Sequence, residues 1–390
     1  MIPVVLPTYG RADVAFERGE GAYLWSTDGR RFLDFGAGVA VTNLGHRHPR
    51  LQAALHAQAD KLWHTSNHYR IPGQEAVAAK LVANSFADTV FFCNSGAEAN
   101  ECAIKMARRY QHGRGQDQRD QIVCATGAFH GRTLGTIAAG GQEKYLEGFE
   151  PRLPGFIHVP FGNMNAMRDA LSERTVAIMV EPVQGESGVI PADPDYLARL
   201  RAAADEFGAL LVFDEVQTGM GRTARLFAYE HAAIAPDIMS LAKGLGGGFP
   251  VGACLATERA ATAMGAGSHG STFGGNPLAM AVTEAVLDVM LEPGFMDAVA
   301  ARAEDLRQGL ERVCAPFPHL IEEVRGLGMM IGLKCRMPNT QLISALRANG
   351  LLLIGAGDNV ARLLPPLIVG AAEIAEALDI LGRTLAEVAP

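Results

Sequence analysis

The sequence predicts an α/β fold, with a mostly parallel β-sheet covered by helices and a smaller α+β domain. The chain has 390 residues, 48% of them hydrophobic, which is enough to bury a large core and to form two domains. From about residue 88 to 256, short β-rich apolar runs alternate with amphipathic helical stretches. This alternation is typical of a parallel sheet. After about residue 275 it gives way to long helices and short strands.

Apolar runs in the alternating region predict buried strands, because each is bounded by polar or turn residues. Two of the helices that alternate with these strands are predicted over Ala97–Gln111 and Tyr196–Phe207. The predicted strands read DTVFFCNS, QIVCAT, VAIMVEP, ALLVFDE, PDIMSLA and VGACLAT.

The C-terminal part predicts a smaller domain with its own helices and strands. Helices are expected over Pro277–Leu291 and Met296–Arg312. Short strands are expected at Glu322–Lys334, Leu351–Ile354 and Val360–Leu364, followed by a closing helix.

The first 50 residues contain GEGAYLWSTDGRRFLDF, which is typical of a β-hairpin. We expect this segment to pack against the C-terminal part. The predicted organisation is an N-terminal segment over 1–50, a large domain over 51–275 and a small α+β domain over 276–390.

Charge and cysteine content exclude several classes of protein. The net formal charge of −8 argues against general affinity for nucleic acids or anionic membranes. Neither a targeting signal nor an apolar run of roughly 18 residues is visible. The six cysteines have no spacing typical of disulfides or zinc sites, so buried reduced thiols in a cytoplasmic protein are expected.

Polar residues follow the predicted strands at the point where each strand ends. Ser95, Glu181, Asp214 and Lys243 all occupy such positions. Because the carboxyl ends of strands form the ligand crevice in open α/β sheets, these side chains are expected to share one site.

The stretch SLAKGLGGGFPVG around Lys243 allows three interpretations: a phosphate-binding loop, a turn with a solvated lysine, or a lysine placed to react. The first is disfavoured, because a Walker loop needs its lysine after the glycines. The Rossmann spacing also fails, since Phe249 stands in place of the third glycine.

A metal site is also disfavoured, although histidines cluster between His46 and His68. His64 and His68 are four residues apart, but HTSNH lacks the glutamate of the zinc motif H-E-x-x-H. Turn or surface histidines are the simpler interpretation, and no metal is expected.

Two further stretches suggest a ligand. Asp214 ends a buried strand and needs a cation or donor as partner. Ser95, Gly96 and Ala97 lie where a helix N-terminus could hold a phosphate, or where Ser95 could simply cap the helix. A ligand with a phosphate, a ring that pairs with a carboxylate and a carbonyl that meets a lysine satisfies all these features. Pyridoxal phosphate has all three.

The sequence resembles the class III pyridoxal-phosphate aminotransferases of fold type I. The resemblance runs in family order from Asp34 to Val369 and implies a seven-stranded type of sheet. The motifs that carry it are DFGAGVAVTNLGHRHP, FFCNSGAEANECAIKMAR, GAFHGRTLG, VEPVQGESGV, FDEVQTGMGRT, APDIMSLAKGLGGGFPVGA, HGSTFGGNPLA and RLLPPLIV.

The resemblance implies that Lys243 forms the Schiff base (the aldimine) with the cofactor, with the nearby glycines giving clearance. Desolvation then keeps the amine of Lys243 partly neutral and able to attack a carbonyl. Asp214 is implied to face the pyridine nitrogen, where its charge keeps the ring protonated. The other implied cofactor-binding residues are Ser95, Gly96 and Ala97 at the phosphate, Phe129 stacked on the ring, Glu215, Val216, Gln217 near the phenolic oxygen, and Thr272.

The resemblance also implies a homodimer and a set of substrate residues. Thr272 would reach the phosphate of the neighbouring subunit's cofactor, with Ser271 beside it near the substrate. Arg132 would hold the carboxylate far from the reacting amine, and Arg362 the α-carboxylate of glutamate, since guanidinium binds carboxylate in a bidentate way. Glu186 would pair with Arg362 when glutamate is absent, and is grouped with Lys243 and Asp214 as catalytic.

Within the family, the resemblance points to members that act on N2-acetyl-L-ornithine with 2-oxoglutarate as acceptor. Ornithine aminotransferases carry a tyrosine that recognises the free α-amino group, where this chain has Val39. An apolar residue there agrees with an acylated nitrogen.

Two alternatives stay open. One is a related terminal-amine aminotransferase acting on succinylornithine, succinyl-diaminopimelate, ornithine or 4-aminobutyrate. The other is a regulatory protein that binds pyridoxal phosphate without turnover.

Overall fold

The computed structural model describes residues 2–388 of the chain. Its strands are β1 (Phe16–Glu20), β2 (Tyr23–Ser26), β3 (Arg31–Asp34), β4 (Thr89–Cys93), β5 (Gln121–Ala125), β6 (Phe156–Val159), β7 (Thr175–Val180), β8 (Val183–Gln184), β9 (Ile190–Pro191), β10 (Leu210–Asp214), β11 (Ile238–Leu241), β12 (Gly252–Ala256), β13 (Ile321–Leu327), β14 (Met330–Cys335), β15 (Leu351–Leu352), β16 (Ile354–Ala356) and β17 (Val360–Leu363).

The helices are α1 (Ala37–Ala40), α2 (Pro49–Ala59), α3 (Pro72–Ala83), α4 (Gly96–His112), α5 (Leu134–Ala139), α6 (Met164–Ala170), α7 (Pro194–Glu206), α8 (Glu258–Ala261), α9 (Pro277–Met290), α10 (Phe295–Cys314), α11 (Asn339–Ala348) and α12 (Ala371–Val388), with 3-10 turns at Glu143–Tyr145, Ala228–Ala232 and Lys243–Leu245. Within residues 2–388, none of these helices is long and apolar enough to span a membrane.

The central sheet has seven strands in the order β4-β12-β11-β10-β7-β5-β6. Strand β12 is antiparallel to both neighbours, whereas the other pairs are parallel. The six predicted strands are confirmed. The seventh, β6, escaped prediction because it is a half-buried edge strand that contains His158.

Strand direction brings the functional segments to one edge of this sheet. Two antiparallel pairings in succession restore the direction, so β4 runs the same way as β11. The carboxyl ends of β4, β7, β10 and β11 therefore lie together. Strand β10 at the centre is buried along its whole length, which gives the residues after it a rigid base.

Helix α4 shows how the sequence places its own N-terminus at this edge. Ser95 caps it, since its Oγ accepts a hydrogen bond of 3.2 Å from the backbone N–H of Glu98. The helix then buries small and apolar residues at helical spacing against β11 and β12. These buried residues include Ala99, Cys102, Ala103, Met106 and Ala107.

The N-terminal strands form a second sheet with a C-terminal strand. Its order is β1-β2-β3-β15, and β15 runs parallel to β3. The prediction of one strand over Leu351–Ile354 was wrong: the chain passes from this sheet to another at Leu353, so β15 and β16 pair with different partners.

The third sheet, β13-β14-β17-β16, is antiparallel and carries Arg362 on β17. Helix α9 packs against α2 and α3. The domain limits at residues 50 and 275 stay a prediction.

Candidate active site

A cavity of about 430 Å³ opens at the carboxyl edge of the central sheet. It lies where the segments after β4, β7, β10 and β11 converge, so the expectation of a shared site at the strand ends agrees with the structure. The predicted site residues that line it are Ser95, Gly96, Ala97, Phe129, Arg132, Asp214, Val216, Gln217 and Lys243.

Asp214 accepts more hydrogen bonds than the other carboxyl group that lines this cavity, Glu181, and only 3% of its surface is exposed. Its Oδ2 accepts hydrogen bonds of 2.7 Å from Asn100 Nδ2 and from His130 Nδ1. Its Oδ1 accepts one of 3.0 Å from the backbone N–H of Val216. A carboxylate offers about four acceptor positions, so one position remains for a donor in the cavity.

Sequence reasoning missed the roles of His130 and Asn100. Burial by itself lowers the pKa of His130, but the hydrogen bond and charge of Asp214 outweigh it and raise the pKa. Asn100 lies one turn after Gly96 on α4 and also donates to the backbone carbonyl of His130 at 2.8 Å. A polar residue on an otherwise small and apolar helix face was the available signal.

Lys243 lines the same cavity, in a 3-10 turn that follows β11. Its φ of +47° is in the left-handed region, which costs a non-glycine residue about 1–3 kcal/mol. Burial lowers its pKa to about 8, although the negative charges of Glu186, Asp214 and Glu181 act in the opposite direction. A strained backbone and a weakened amine base are both typical of functional residues.

Glu181 is a second buried carboxyl group in the cavity wall. Its Oε1 accepts a hydrogen bond of 2.9 Å from the backbone N–H of Phe129. Burial and the nearby charge of Asp214 raise its pKa to about 8. Because Glu181 and Asp214 are buried close together, ionisation of one carboxyl group makes ionisation of the other harder.

The N-terminus of α4 offers free donors to the same cavity. Among residues 2–388, no acceptor is bonded to the backbone N–H groups of Gly96 and Ala97, while Ser95 caps the helix. A Cβ on Gly96 would lie 2.6 Å from Val216 Cγ1, so glycine allows the close approach of the two segments. Capping and anion binding, posed as alternatives by the sequence, are compatible here.

Arg362 and Glu186 form an ion pair beside the cavity. Arg362 Nη1 lies 2.8 Å from Glu186 Oε1 and donates over the same distance to Gln217 Oε1. Arg362 is 1% exposed and reaches the cavity wall through Gln217. A Cβ on Gly185 would lie 2.3 Å from Gln217 Oε1, so this contact requires glycine at that position.

Some predicted residues lie outside the cavity. The carboxylate of Glu215 accepts from the backbone N–H groups of Ala228 and Tyr229 at 2.6 and 2.9 Å, and so it fastens a neighbouring turn. Val39 packs in a small apolar cluster with Val183, whereas Val41 lines the cavity.

Ser271 and Thr272 line a separate cavity of about 800 Å³. Ser271 is nevertheless linked to the first cavity, because its Oγ accepts a hydrogen bond of 3.2 Å from Asn94 Nδ2, and Asn94 lines that cavity.

The glycines after Lys243 contribute to the packing of the loop and to the cavity wall, and the clearance expected of them beside the cofactor stays a prediction. A Cβ on Gly244 would lie 3.0 Å from Asn43, and one on Gly246 only 2.0 Å from the carbonyl oxygen of Phe249. Of the four glycines from 244 to 248, Gly248 lines the cavity. The others allow the loop itself to pack.

Comparison with known proteins places this chain in a family. The model of a family described as aminotransferase class-III matches residues 7–385. The chain belongs to the class III aminotransferases.

Relatives and solved structures of this aminotransferase are similar over nearly their whole length. Acetylornithine aminotransferases of Mesorhizobium japonicum and Agrobacterium fabrum are 57% and 55% identical to it, each covering 95% of this chain and 93% of the relative. The N-acetylornithine aminotransferase structure from Stenotrophomonas maltophilia has a TM-score of 0.85 at 38% identity, covering 97% of each chain. The ornithine aminotransferase of Toxoplasma gondii has a TM-score of 0.95 at 31% identity, covering 99% of this chain and 93% of that one.

The residues of the aminotransferase cavity fit pyridoxal phosphate. The free acceptor position of Asp214 suits a protonated ring nitrogen, and the N–H groups of Gly96 and Ala97 suit a phosphate. Phe129 and Val216 supply apolar walls for a ring. Among residues 2–388, no group of three or more potential ligands could hold a metal ion.

The lowered pKa of Lys243 predicts its reactivity in the aminotransferase freed of cofactor. Below about pH 8 the amine of Lys243 is mostly protonated and unreactive, and above that pH the neutral, reactive form predominates. The amine of an ordinary lysine has a pKa of about 10.4 and reaches the same state only at a higher pH. Labelling with an amine reagent at a series of pH values, read residue by residue by mass spectrometry, should give a midpoint near 8 for Lys243.

Glu186→Gln provides the matched variant for this measurement. Because the Glu186 carboxylate raises the pKa of Lys243, its removal should move the midpoint to lower pH. A Lys243 midpoint equal to that of the exposed Lys61 would contradict the assignment.

Proposed function

We propose that the protein transfers the terminal (δ) amino group of N2-acetyl-L-ornithine to 2-oxoglutarate, giving N-acetylglutamate 5-semialdehyde and L-glutamate, in arginine biosynthesis. The names of relatives at 57% identity support this substrate. The main structural support for this substrate is that two arginines differ in whether they have a carboxylate partner. Arg362 is paired with Glu186, whereas Arg132 lines the cavity without a carboxylate partner among residues 2–388. This arrangement suits a donor whose single carboxylate lies far from the reacting amine.

The cofactor is pyridoxal phosphate. When bound, it supplies an aldehyde for the amino group and a ring that withdraws electrons from the substrate carbon. Asp214 holds a proton on the ring nitrogen, and His130 and Asn100 keep the carboxylate charged and oriented. The backbone N–H groups of Gly96 and Ala97 bind the phosphate.

Lys243 is the proton carrier and the covalent attachment point. With a pKa of about 8, its Nζ is partly neutral at physiological pH and takes a proton from the substrate carbon that bears the amine. The resulting ammonium is stabilised by the negative charges nearby, chiefly that of Glu186. With the cofactor bound, Lys243 would pass this proton to the cofactor carbon that carried the aldehyde oxygen.

The two half-reactions place opposite demands on Arg362. Acetylornithine presents no carboxylate beside the reacting carbon, so Arg362 stays paired with Glu186. Glutamate presents one, which displaces Glu186 and gains a bidentate partner. Arg132 holds the distant carboxylate of either substrate.

Glu186→Gln tests this exchange. The variant leaves Arg362 without its charged partner, so kcat/KM for glutamate should rise relative to that for acetylornithine. A charge-assisted hydrogen bond contributes about 1.5–3 kcal/mol, which corresponds to a change of about tenfold or more in the ratio. Unchanged relative efficiencies in steady-state assays would sink the proposal.

A panel of amino donors with 2-oxoglutarate tests the substrate. Acetylornithine should have the highest kcat/KM, ahead of succinylornithine, succinyl-diaminopimelate, ornithine and 4-aminobutyrate. Lys243→Ala should abolish turnover and the borohydride-trappable imine with every donor. A different leading donor would change the substrate, and wild-type protein that binds the cofactor without turnover would favour a regulatory role.

We propose further that the protein is a cytoplasmic homodimer with shared active sites. The unpaired state of all six cysteines supports a reducing compartment. Phe273, next to the Ser271–Thr272 segment, is 60% exposed. Trp63 and Tyr69 are 65% and 71% exposed, and they flank Asn67, whose Nδ2 donates a hydrogen bond to the carbonyl of Ser271. Such a patch suits contact with a second copy. Thr272 would then contribute to the partner's phosphate site.

Mixed dimers test the shared site. Thr272→Val should weaken cofactor binding, and Lys243→Ala should be inactive. Co-expressed chains carrying one change each should regain activity beyond that of the Thr272→Val homodimer, because one site of the mixed dimer then has both native residues. Absence of this gain would place Thr272 in the site of its own chain.

A further inference from the structure

Tyr145 lies against the arginine that faces the cavity. It ends the 3-10 turn Glu143–Tyr145 in the connection between α5 and β6. The Arg132 guanidinium carbon lies 4.1 Å from the centre of the Tyr145 ring. The ring also makes an edge contact with Phe129, with centres 5.7 Å apart and planes at 76°. Tyr145 therefore links the ring-stacking residue to the carboxylate-binding residue.

The position of Arg132 makes such a support necessary. Arg132 is exposed and follows Gly131, whose φ is +135°. An arginine held by no carboxylate loses rotamer freedom on binding a substrate, which weakens the affinity. An aromatic face restrains the guanidinium plane while its N–H donors stay free for a carboxylate.

The segment that carries Tyr145 is itself fastened to the turn that carries Phe129. The backbone N–H of Gly127 donates to the carbonyl of Gly141 at 2.9 Å, and Gln142 Nε2 donates to the carbonyl of Gly127 at 3.0 Å. A Cβ on Gly141 would lie 2.4 Å from the carbonyl oxygen of Ala125, so glycine is required for this close approach. The aromatic ring thus has a fixed base.

We propose that Tyr145 is a positioning residue that holds the guanidinium of Arg132 in place for the distal carboxylate of both substrates. This inference rests on the proposed function for the identity of those substrates. It deepens the proposal, because the same ring sets affinity for N2-acetyl-L-ornithine and 2-oxoglutarate without taking part in proton transfer.

Tyr145→Leu and Tyr145→Phe in the holoenzyme form the matched pair. The leucine variant loses the aromatic face, so KM for both substrates should rise about 3- to 30-fold while kcat changes less than about twofold. The phenylalanine variant keeps the face and should behave like the wild type. A fall in kcat at unchanged KM, or equal losses in both variants, would overturn the proposal.

Binding of glutarate, measured by calorimetry on the holoenzyme, provides a readout that does not need turnover. Its Kd should rise about 3- to 30-fold in Tyr145→Leu and stay unchanged in Tyr145→Phe. Tyr23→Leu is the control, since it removes a similar contact, with Arg31 at 4.6 Å, on a residue that does not line the cavity. Unchanged glutarate affinity in Tyr145→Leu, or no binding by the wild type, would refute the role of Tyr145.

The outcomes separate the two proposals. A wild type that binds glutarate but does not transaminate acetylornithine contradicts the proposed function and leaves the binding test of Tyr145 intact. If Tyr145→Leu fails to fold, Tyr145→Met and the Arg132→Lys background serve instead. Lysine keeps the charge but lacks the planar group, so the further loss of the aromatic ring should change Kd less than twofold there.

Discussion

The negative charge of Asp214 is the constraint on which the site depends. Strand β10 is buried on both faces and delivers this carboxylate to the sheet edge with almost no exposure. A charge in such a place is unstable without partners. Three donors, from His130, Asn100 and Val216, come from three different segments and meet at it. Burial raises the pKa of Glu181, and the charge of Asp214 raises it further, because two adjacent buried carboxyl groups do not both ionise readily.

Lys243 depends on the balance between burial and these charges. Burial lowers the pKa of its amine to about 8, and the surrounding carboxylates stop a larger fall. The same residue has a left-handed backbone, which the packed loop after it maintains. In this loop Gly244, Gly246 and Gly247 allow close packing, whereas Gly248 lines the cavity.

The two arginines proposed to bind substrate carboxylates differ in burial and in their partners. Arg362 is buried and paired, so a competing carboxylate must replace Glu186. Arg132 is exposed and lies against the rings of Phe129 and Tyr145, so in the proposed function it would bind a carboxylate without first breaking an ion pair. A buried ion pair such as Arg362–Glu186 suits selective binding, because leaving either charge without a partner is costly. An exposed arginine such as Arg132 suits a carboxylate that both substrates share.

The sequence by itself determined a mostly parallel sheet, the positions of six of its strands along the chain and the residues at their carboxyl ends, because apolar runs and the residues that end them are local features. It also carried the family motifs around Lys243 and Asp214. Only the tertiary structure decided which residues share the cavity: His130 and Asn100 join Asp214 across long stretches of chain, Glu215 turns to another loop, and Tyr145 supports Arg132. Such contacts depend on the packing of distant segments, which spacing along the chain does not specify.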